Sequence, residues 1–289
     1  MEVLIQGRWD GRTDTVVSVK VTDGIVLASD SATTFFDSNG VAIKVYNNAN
    51  KIFNLVKGLP LGAMTYGAGS IGASSIATLS KDLRSQFSVH DSPFYFDPEN
   101  YSVEEVAKKC QQFFQNQFDT AYPDGLPGAM MGYRVAGYGT GDVLAQGWEF
   151  FIGDGQTEQM QRFCGADDFG VRWAGDGEAL NRLVLGFSGG VLDALVDEGL
   201  NPDNVPAVRQ ALVDRTFRAL YLPAMPIQDA IELARYLAET AAKFSHFSLL
   251  APTIGGPIEV ATITKHEGFK WVARKHYFNS SVNPGAHNA

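Results

Sequence analysis

A run of β-branched and other apolar residues lies near the N-terminus of the chain. It covers residues 15–21 and 25–29, and the dipeptide Asp23-Gly24 separates its two halves. An Asp-Gly dipeptide between two such runs is a strong signal of a β-hairpin. The pattern therefore predicts two strands that pair across this dipeptide.

Shorter apolar runs, bounded by Gly, Pro, Asn and Asp, predict further strands along the chain. The segment 32–50 is rich in Asn, and we predict a long loop there that contains one strand. His266-Glu267-Gly268 separates the last two strands, which we expect to form a second hairpin. The predicted strands are residues 41–45, 51–56, 61–66, 130–138, 148–152, 258–265 and 269–273.

Apolar residues recur at helical spacing in five segments. Ser102 precedes Glu105 by three residues, which is the spacing of a capping box and predicts a helix start. The glycine-rich segment 67–72 leads into the first helix, and Pro123 ends the second. The predicted helices run from the glycine-rich segment to about residue 85, and then over residues 102–122, 178–196, 201–221 and 226–247.

The glycine-rich segment 67–72 also fits the dinucleotide-binding pattern Gly-x-Gly-x-x-Gly. That pattern binds dinucleotides in folds where single strands alternate with helices. Here the strands come in groups, so we interpret the segment as a packing turn.

The order of elements indicates the fold class. Groups of strands are followed by groups of long helices, which favours a layered α+β fold with two antiparallel sheets covered by helices. We find no linker of the kind that separates domains, and so predict one domain over residues 13–277. Residues 1–12 are predicted as an N-terminal extension or propeptide-like segment, and residues 278–289 as a flexible polar tail.

Composition narrows the class of protein. The net charge of −9 disfavours nucleic acid and anionic membranes as partners, and no apolar run is long enough to predict a membrane-spanning helix. Two cysteines, far apart, predict neither a disulfide framework nor a zinc site and fit a reducing cytoplasm. The five histidines show no ligand spacing, and we expect no cofactor or metal.

Four segments in this order resemble the proteasome subunit family, including its bacterial HslV-like and Anbu-like members. They are Thr15–Asp30, Lys51-Ile52-Phe53, Gly67–Arg84 and Gly255–Gly268. The resemblance implies the four-layer αββα sandwich of the Ntn-hydrolase superfamily and self-assembly into homo-oligomeric rings or helical arrays. For active members it implies a threonine peptidase that acts on peptides, with an ATP-dependent unfoldase as a candidate partner.

The resemblance also assigns roles to residues. The reaction needs a hydroxyl whose own α-amine accepts the proton, a lysine that stabilises charge and a backbone N–H that holds the oxyanion. By resemblance, Lys51 is the lysine, Asp30 is the carboxylate that orients it, and the turn at Thr65–Gly67 supplies the oxyanion donor. Thr13 is the candidate nucleophile, provided that residues 1–12 are removed.

The expected position of the nucleophile holds a carboxylate. A match without gaps places Asp14 where active relatives have threonine, and Thr13 comes one residue earlier. A slip of one residue turns a strand side chain to the opposite face. The glycine turn contains Asp176 where active relatives have serine, and residues 250–254 lack a carboxylate and a serine.

Three hypotheses follow from these departures. The chain is a threonine-type peptidase that uses Thr13 after processing, a catalytically inactive structural member of the family, or an Ntn amidase that acts on a small amide. An ion pair between Asp14 and Lys51 would indicate an inactive site.

Overall fold

The computed structural model describes residues 14–36, 42–126, 128, 130–153, 160–249 and 253–275. Thr13, the predicted N-terminal extension and the predicted tail lie outside these residues. The described chain is mixed α and β, with several antiparallel sheets and six α-helices, which confirms the predicted α+β class. Within it, no helix combines the length and apolar character that crossing a bilayer requires.

The elements follow one another in groups. The strands are β1 (Thr15–Val21), β2 (Gly24–Ser29), β3 (Thr33–Phe36), β4 (Ala42–Tyr46), β5 (Ile52–Asn54), β6 (Leu61–Gly67), β7 (Ser70–Ile71), β8 (Ser74–Ser75), β9 (Met130–Gly137), β10 (Gln146–Gly153), β11 (Gln161–Cys164), β12 (Gly170–Gly175), β13 (Glu259–Thr264) and β14 (Gly268–Ala273). The helices are α1 (Ile76–Gln86), α2 (Val103–Ala121), α3 (Glu178–Leu180), α4 (Val191–Asp197), α5 (Val205–Thr216) and α6 (Ile227–Phe247).

The first five-stranded sheet has the order β12-β1-β2-β13-β14, with every neighbouring pair antiparallel. Its centre is the predicted N-terminal hairpin, whose register pairs Val16 with Ser29 and Val21 with Gly24. Gly24 is required here because a Cβ atom would lie 2.5 Å from the carbonyl oxygen of Ile263 on β13. Gly24 is the first residue of β2 and the turn itself is Thr22-Asp23, so it is the strand pairing that requires this glycine.

The second five-stranded sheet has the order β11-β10-β9-β6-β5 and is also antiparallel throughout. Helix α2 lies against β9 and β10, and its buried residues follow the predicted helical stripe. Ser102 caps this helix, since its side chain accepts a hydrogen bond from Glu105 N–H at 3.1 Å. The capping-box residues therefore mark the helix start as predicted.

Three apolar clusters hold these elements together. One joins α1 and α2 to the second sheet, and another joins α6 to the first sheet. The third draws residues from both sheets, including Ile25 and Leu27 of the first and Met64 of the second. Burial of these side chains is the main favourable term that stabilises the arrangement.

Two helix predictions were wrong in their extent. The segment 178–196 contains α3, a π-helical turn over Asn181–Leu185 and then α4, because Gly186 adopts a φ of 87° and ends the turn. The predicted helix over 201–221 begins with a 3₁₀ turn at Pro202 and ends at Thr216. There the chain turns so that Arg218 N–H can bond the carbonyl of Val184.

Two predictions for loops were also too simple. The glycine-rich segment 67–72 contains β7, which pairs with β8 before α1 begins. Ser75 caps the helix through a hydrogen bond from Thr78 N–H. The predicted loop over 32–50 contains the paired strands β3 and β4.

The aromatic centre of the first cluster gives a test of the fold. Phe114 is fully buried, with ring centroids 4.7 Å from Tyr133 and 6.4 Å from Phe150. Phe114→Ala leaves a cavity, so we expect a loss of about 3–5 kcal/mol in the free energy of unfolding, measured by urea denaturation. Val143→Ala is the control, because that side chain is 74% exposed and should change stability little. Equal losses in the two variants would contradict the described packing.

Candidate functional site

Four strand ends meet at one place between the two sheets. Asp14 directly precedes β1 and Asp30 directly follows β2, and the antiparallel register brings these two ends together. Lys51 directly precedes β5, and Gly67 ends β6. The topology thus places two acidic residues, one lysine and one glycine side by side, although they are far apart in sequence.

Lys51 lies between two carboxylates. Its Nζ is 2.6 Å from Oδ1 of Asp14 and 2.6 Å from Oδ1 of Asp30. All three side chains are buried. One ammonium group therefore compensates two acidic groups, and the cluster carries one negative charge in excess when all three are ionised.

Backbone donors fix the carboxylate of Asp30. Its Oδ1 also accepts a hydrogen bond from Thr15 N–H, and its Oδ2 accepts from Ala32 N–H and Gly255 N–H, all at 3.0 Å. Asp30 thereby connects the start of β1, the end of β2 and the segment before β13. Gly256 follows in the left-handed region, with a φ of 74°, where a Cβ would lie 2.5 Å from the carbonyl oxygen of Asn47.

Asp14 makes contacts with both its side chain and its backbone. Its Oδ2 accepts a hydrogen bond from Gly67 N–H at 2.8 Å, and its carbonyl oxygen accepts one from Asp176 N–H at 2.8 Å. Thr15 Oγ1 donates to the carbonyl of Asp176 at 3.2 Å. Asp14 has a φ of 74°, an uncommon conformation for a residue other than glycine. These contacts hold the strained residue in place.

The shared charge changes the titration of the cluster. Burial raises the pKa of the Asp14 carboxyl to about 6, and the nearby Asp30 carboxylate adds to the effect, while Lys51 and the Gly67 N–H oppose it. Burial by itself lowers the pKa of Lys51, but Asp14 and Asp30 outweigh it and raise that pKa. The lysine thus stays charged, and the Asp14 carboxyl takes up a proton at a higher pH than an ordinary aspartate.

A second buried ion pair lies beside the first. Lys275 Nζ is 2.7 Å from Oε2 of Glu259, and it donates hydrogen bonds to Ser31 Oγ and to the carbonyl of Ala49, both at 2.7 Å. Ser31 follows Asp30 in the chain, so the hydrogen bond from Lys275 helps to fix the backbone next to the site. Sequence reasoning missed this pair; the available signal was Glu259, the single acidic residue of the predicted strand 258–265.

The structure brings together two of the three predicted site residues. Lys51 and Asp30 are in contact, whereas Thr13 lies outside the described residues. The predicted turn at Thr65–Gly67 is instead the end of β6. Gly67 N–H points at the cluster, while Thr65 Oγ1 donates to the carbonyl oxygen of Gly132. In the described part of the chain, no group of three or more His, Cys, Asp or Glu side chains is arranged to hold a metal ion.

Comparison with solved structures finds the same fold in proteins of the Anbu class. Anbu (ancestral beta-subunit) from Yersinia bercovieri matches with a TM-score of 0.53 and 12% sequence identity, over 91% of this chain and 89% of that one. An Anbu (Gly-1) mutant from Hyphomicrobium sp. strain MC1 matches with a TM-score of 0.51 and 11% identity over the same shares. No protein-family model and no curated protein matches the sequence.

The raised pKa of Asp14 predicts a pH dependence of stability. The folded protein binds this proton up to a higher pH than the unfolded chain, whose Asp titrates near pH 3.8. The stability of the wild type relative to Asp14→Asn should therefore fall by about 2–3 kcal/mol between about pH 4 and pH 6 and then level off. Urea denaturation of both proteins across this range measures the difference. A difference that stays constant over the range would contradict the raised pKa.

Proposed function

We propose that this protein is a proteasome-like, Anbu-related subunit without threonine peptidase activity, which acts as a structural member of a homo-oligomer. The observation that carries the proposal is the carboxylate of Asp14, which bridges Lys51 Nζ at 2.6 Å and Gly67 N–H at 2.8 Å. In an active site of this kind, a hydroxyl would lie beside the lysine and the N–H would hold the oxyanion of the substrate.

A carboxylate in this position opposes catalysis in two ways. An ionised carboxylate hydrogen-bonded to Lys51 is a poor nucleophile toward a peptide bond. Its second oxygen also accepts the Gly67 N–H, and a substrate carbonyl would have to displace it. The lysine, the orienting aspartate and the donor glycine are thus all engaged within the chain itself.

The same proposal includes the four-layer αββα arrangement of the Ntn-hydrolase superfamily. Its support is the set of three apolar clusters, in which helices lie on the outer side of each sheet and both sheets contribute to the third cluster. Domain boundaries at residues 13 and 277 and a cytoplasmic location belong to the proposal as well. Cys110 and Cys164 are both free and buried, as a reducing compartment would permit.

Measurements of N-terminal processing and of hydrolytic activity distinguish the proposed structural role from a peptidase that uses Thr13. We expect the purified full chain to keep residues 1–13 by intact mass, to leave fluorogenic peptides and small amides uncleaved, and to resist labelling by an epoxyketone. Thr13→Ala should behave identically. Removal of residues 1–12 together with a hydrolysis that Thr13→Ala abolishes would show that the protein is an active hydrolase, with Lys51 and Asp30 as its catalytic partners.

Self-assembly is tested independently of activity. The support is the resemblance to subunits of assemblies and the exposure of large apolar side chains on α6, among them Tyr236, Phe244 and Phe247. Light scattering coupled to size exclusion should give a mass that is a multiple of 31.3 kDa. A stable monomer at micromolar concentration would overturn this part of the proposal, and co-purified peptides or an ATP-dependent unfoldase would extend it.

A further inference from the structure

The cluster of Lys51, Asp14 and Asp30 contains the parts of an amide-forming site. Lys51 Nζ lies 2.6 Å from Oδ1 of Asp14, and that oxygen is bonded to the carboxyl carbon Cγ. The second carboxylate, Asp30, contacts the same Nζ at 2.6 Å. Gly67 N–H donates to the other oxygen of Asp14, Oδ2. An amine, a carboxyl group, a proton acceptor and an oxyanion donor are therefore held in mutual contact.

We propose that Lys51 and Asp14 join through an intramolecular amide between Nζ and Cγ, which cross-links the start of β1 to the start of β5. The reaction would be a self-modification of the folded chain that needs no oxidant and no second substrate. It goes beyond the structural role proposed above and does not depend on it.

The chemistry balances within the cluster. One proton passes from the ammonium of Lys51 to Oδ1 of Asp14, which leaves a neutral amine beside a neutral carboxyl group. Nζ attacks Cγ, and the negative charge that develops on Oδ2 is held by Gly67 N–H. Asp30 accepts a second proton from Nζ and returns it to Oδ1, the C–Oδ1 bond breaks, and one water leaves. The amide oxygen is the former Oδ2, and Asp30 ends as it began.

Burial and rigid placement both favour this reaction. Groups fixed in contact react as if at a very high effective concentration. Asp30 is held by three backbone N–H groups, so its carboxylate stays directed at Nζ. The pKa of Asp14 is raised to about 6, which makes the neutral carboxyl accessible. The same carboxylates raise the pKa of Lys51, so the neutral amine is scarce and we expect the bond to form slowly, over days.

Peptide mapping of the purified full chain tests the proposal. After incubation near pH 6, the intact mass should be lower than the sequence mass by one water. Tryptic digestion should give a branched peptide that joins residues 13–20 to residues 45–57, because trypsin no longer cleaves after Lys51. A folded wild-type chain that gives no branched peptide overturns the proposal. So does a loss of water that mild alkaline hydrolysis reverses, since that would be a succinimide at an aspartate.

Three variants sharpen the result. Lys51→Arg keeps the charge and should show no loss of mass. Asp14→Asn should lose one ammonia instead of one water and give the same branched peptide. Asp30→Asn keeps the volume but removes the proton acceptor, so we expect cross-linking about 100-fold slower or slower still. A cross-link that forms equally fast in Asp30→Asn would overturn the role of Asp30. Peptidase assays on the same samples report on the structural role separately.

Discussion

The Lys51 ammonium, buried between two carboxylates, is the interaction on which the site depends. A buried charge is tolerated only where it is paired and hydrogen-bonded. Here the partners come from the ends of β1, β2, β5 and β6, so both sheets must be in register for the charge to be compensated. The pairing therefore sets a condition on the fold, because a slip in any of these strands would leave an ammonium or a carboxylate alone in the interior.

The two hairpins, β1 with β2 and β13 with β14, were the most predictable part of the molecule. The Asp23-Gly24 dipeptide and the β-branched runs on either side of it locate the first hairpin, and both features are local. The site followed in part from the resemblance to proteasome subunits, which assigned Asp30 as the carboxylate that contacts Lys51. The sequence alone shows Asp14 at the position where active relatives have threonine.

What the sequence could not reveal depends on contacts between distant segments. The π-helical turn at Asn181–Leu185 exists because Gly186 ends it and because the chain after α5 bonds back to it. Similarly, Lys275 and Glu259 look like ordinary charged residues near a strand until the fold places them beside Ser31. Hydrophobic periodicity indicates which face of a single helix or strand is buried. It contains no information about either of these contacts between distant segments.

At the position of Asp14, the fold and a threonine peptidase site require different side chains. The position before β1 must satisfy Lys51 and the Gly67 N–H, and a carboxylate does so with its two oxygens at 2.6 and 2.8 Å. A hydroxyl has a single oxygen and no charge, so it would leave Asp30 as the sole counter-charge of the lysine. In the structural role proposed above, a carboxylate takes the place of a nucleophile and keeps the buried lysine paired. Burial, with a contribution from Asp30, raises the pKa of that carboxyl. The same arrangement holds a carboxyl with a raised pKa against a lysine, and these are the two groups that the proposed amide joins.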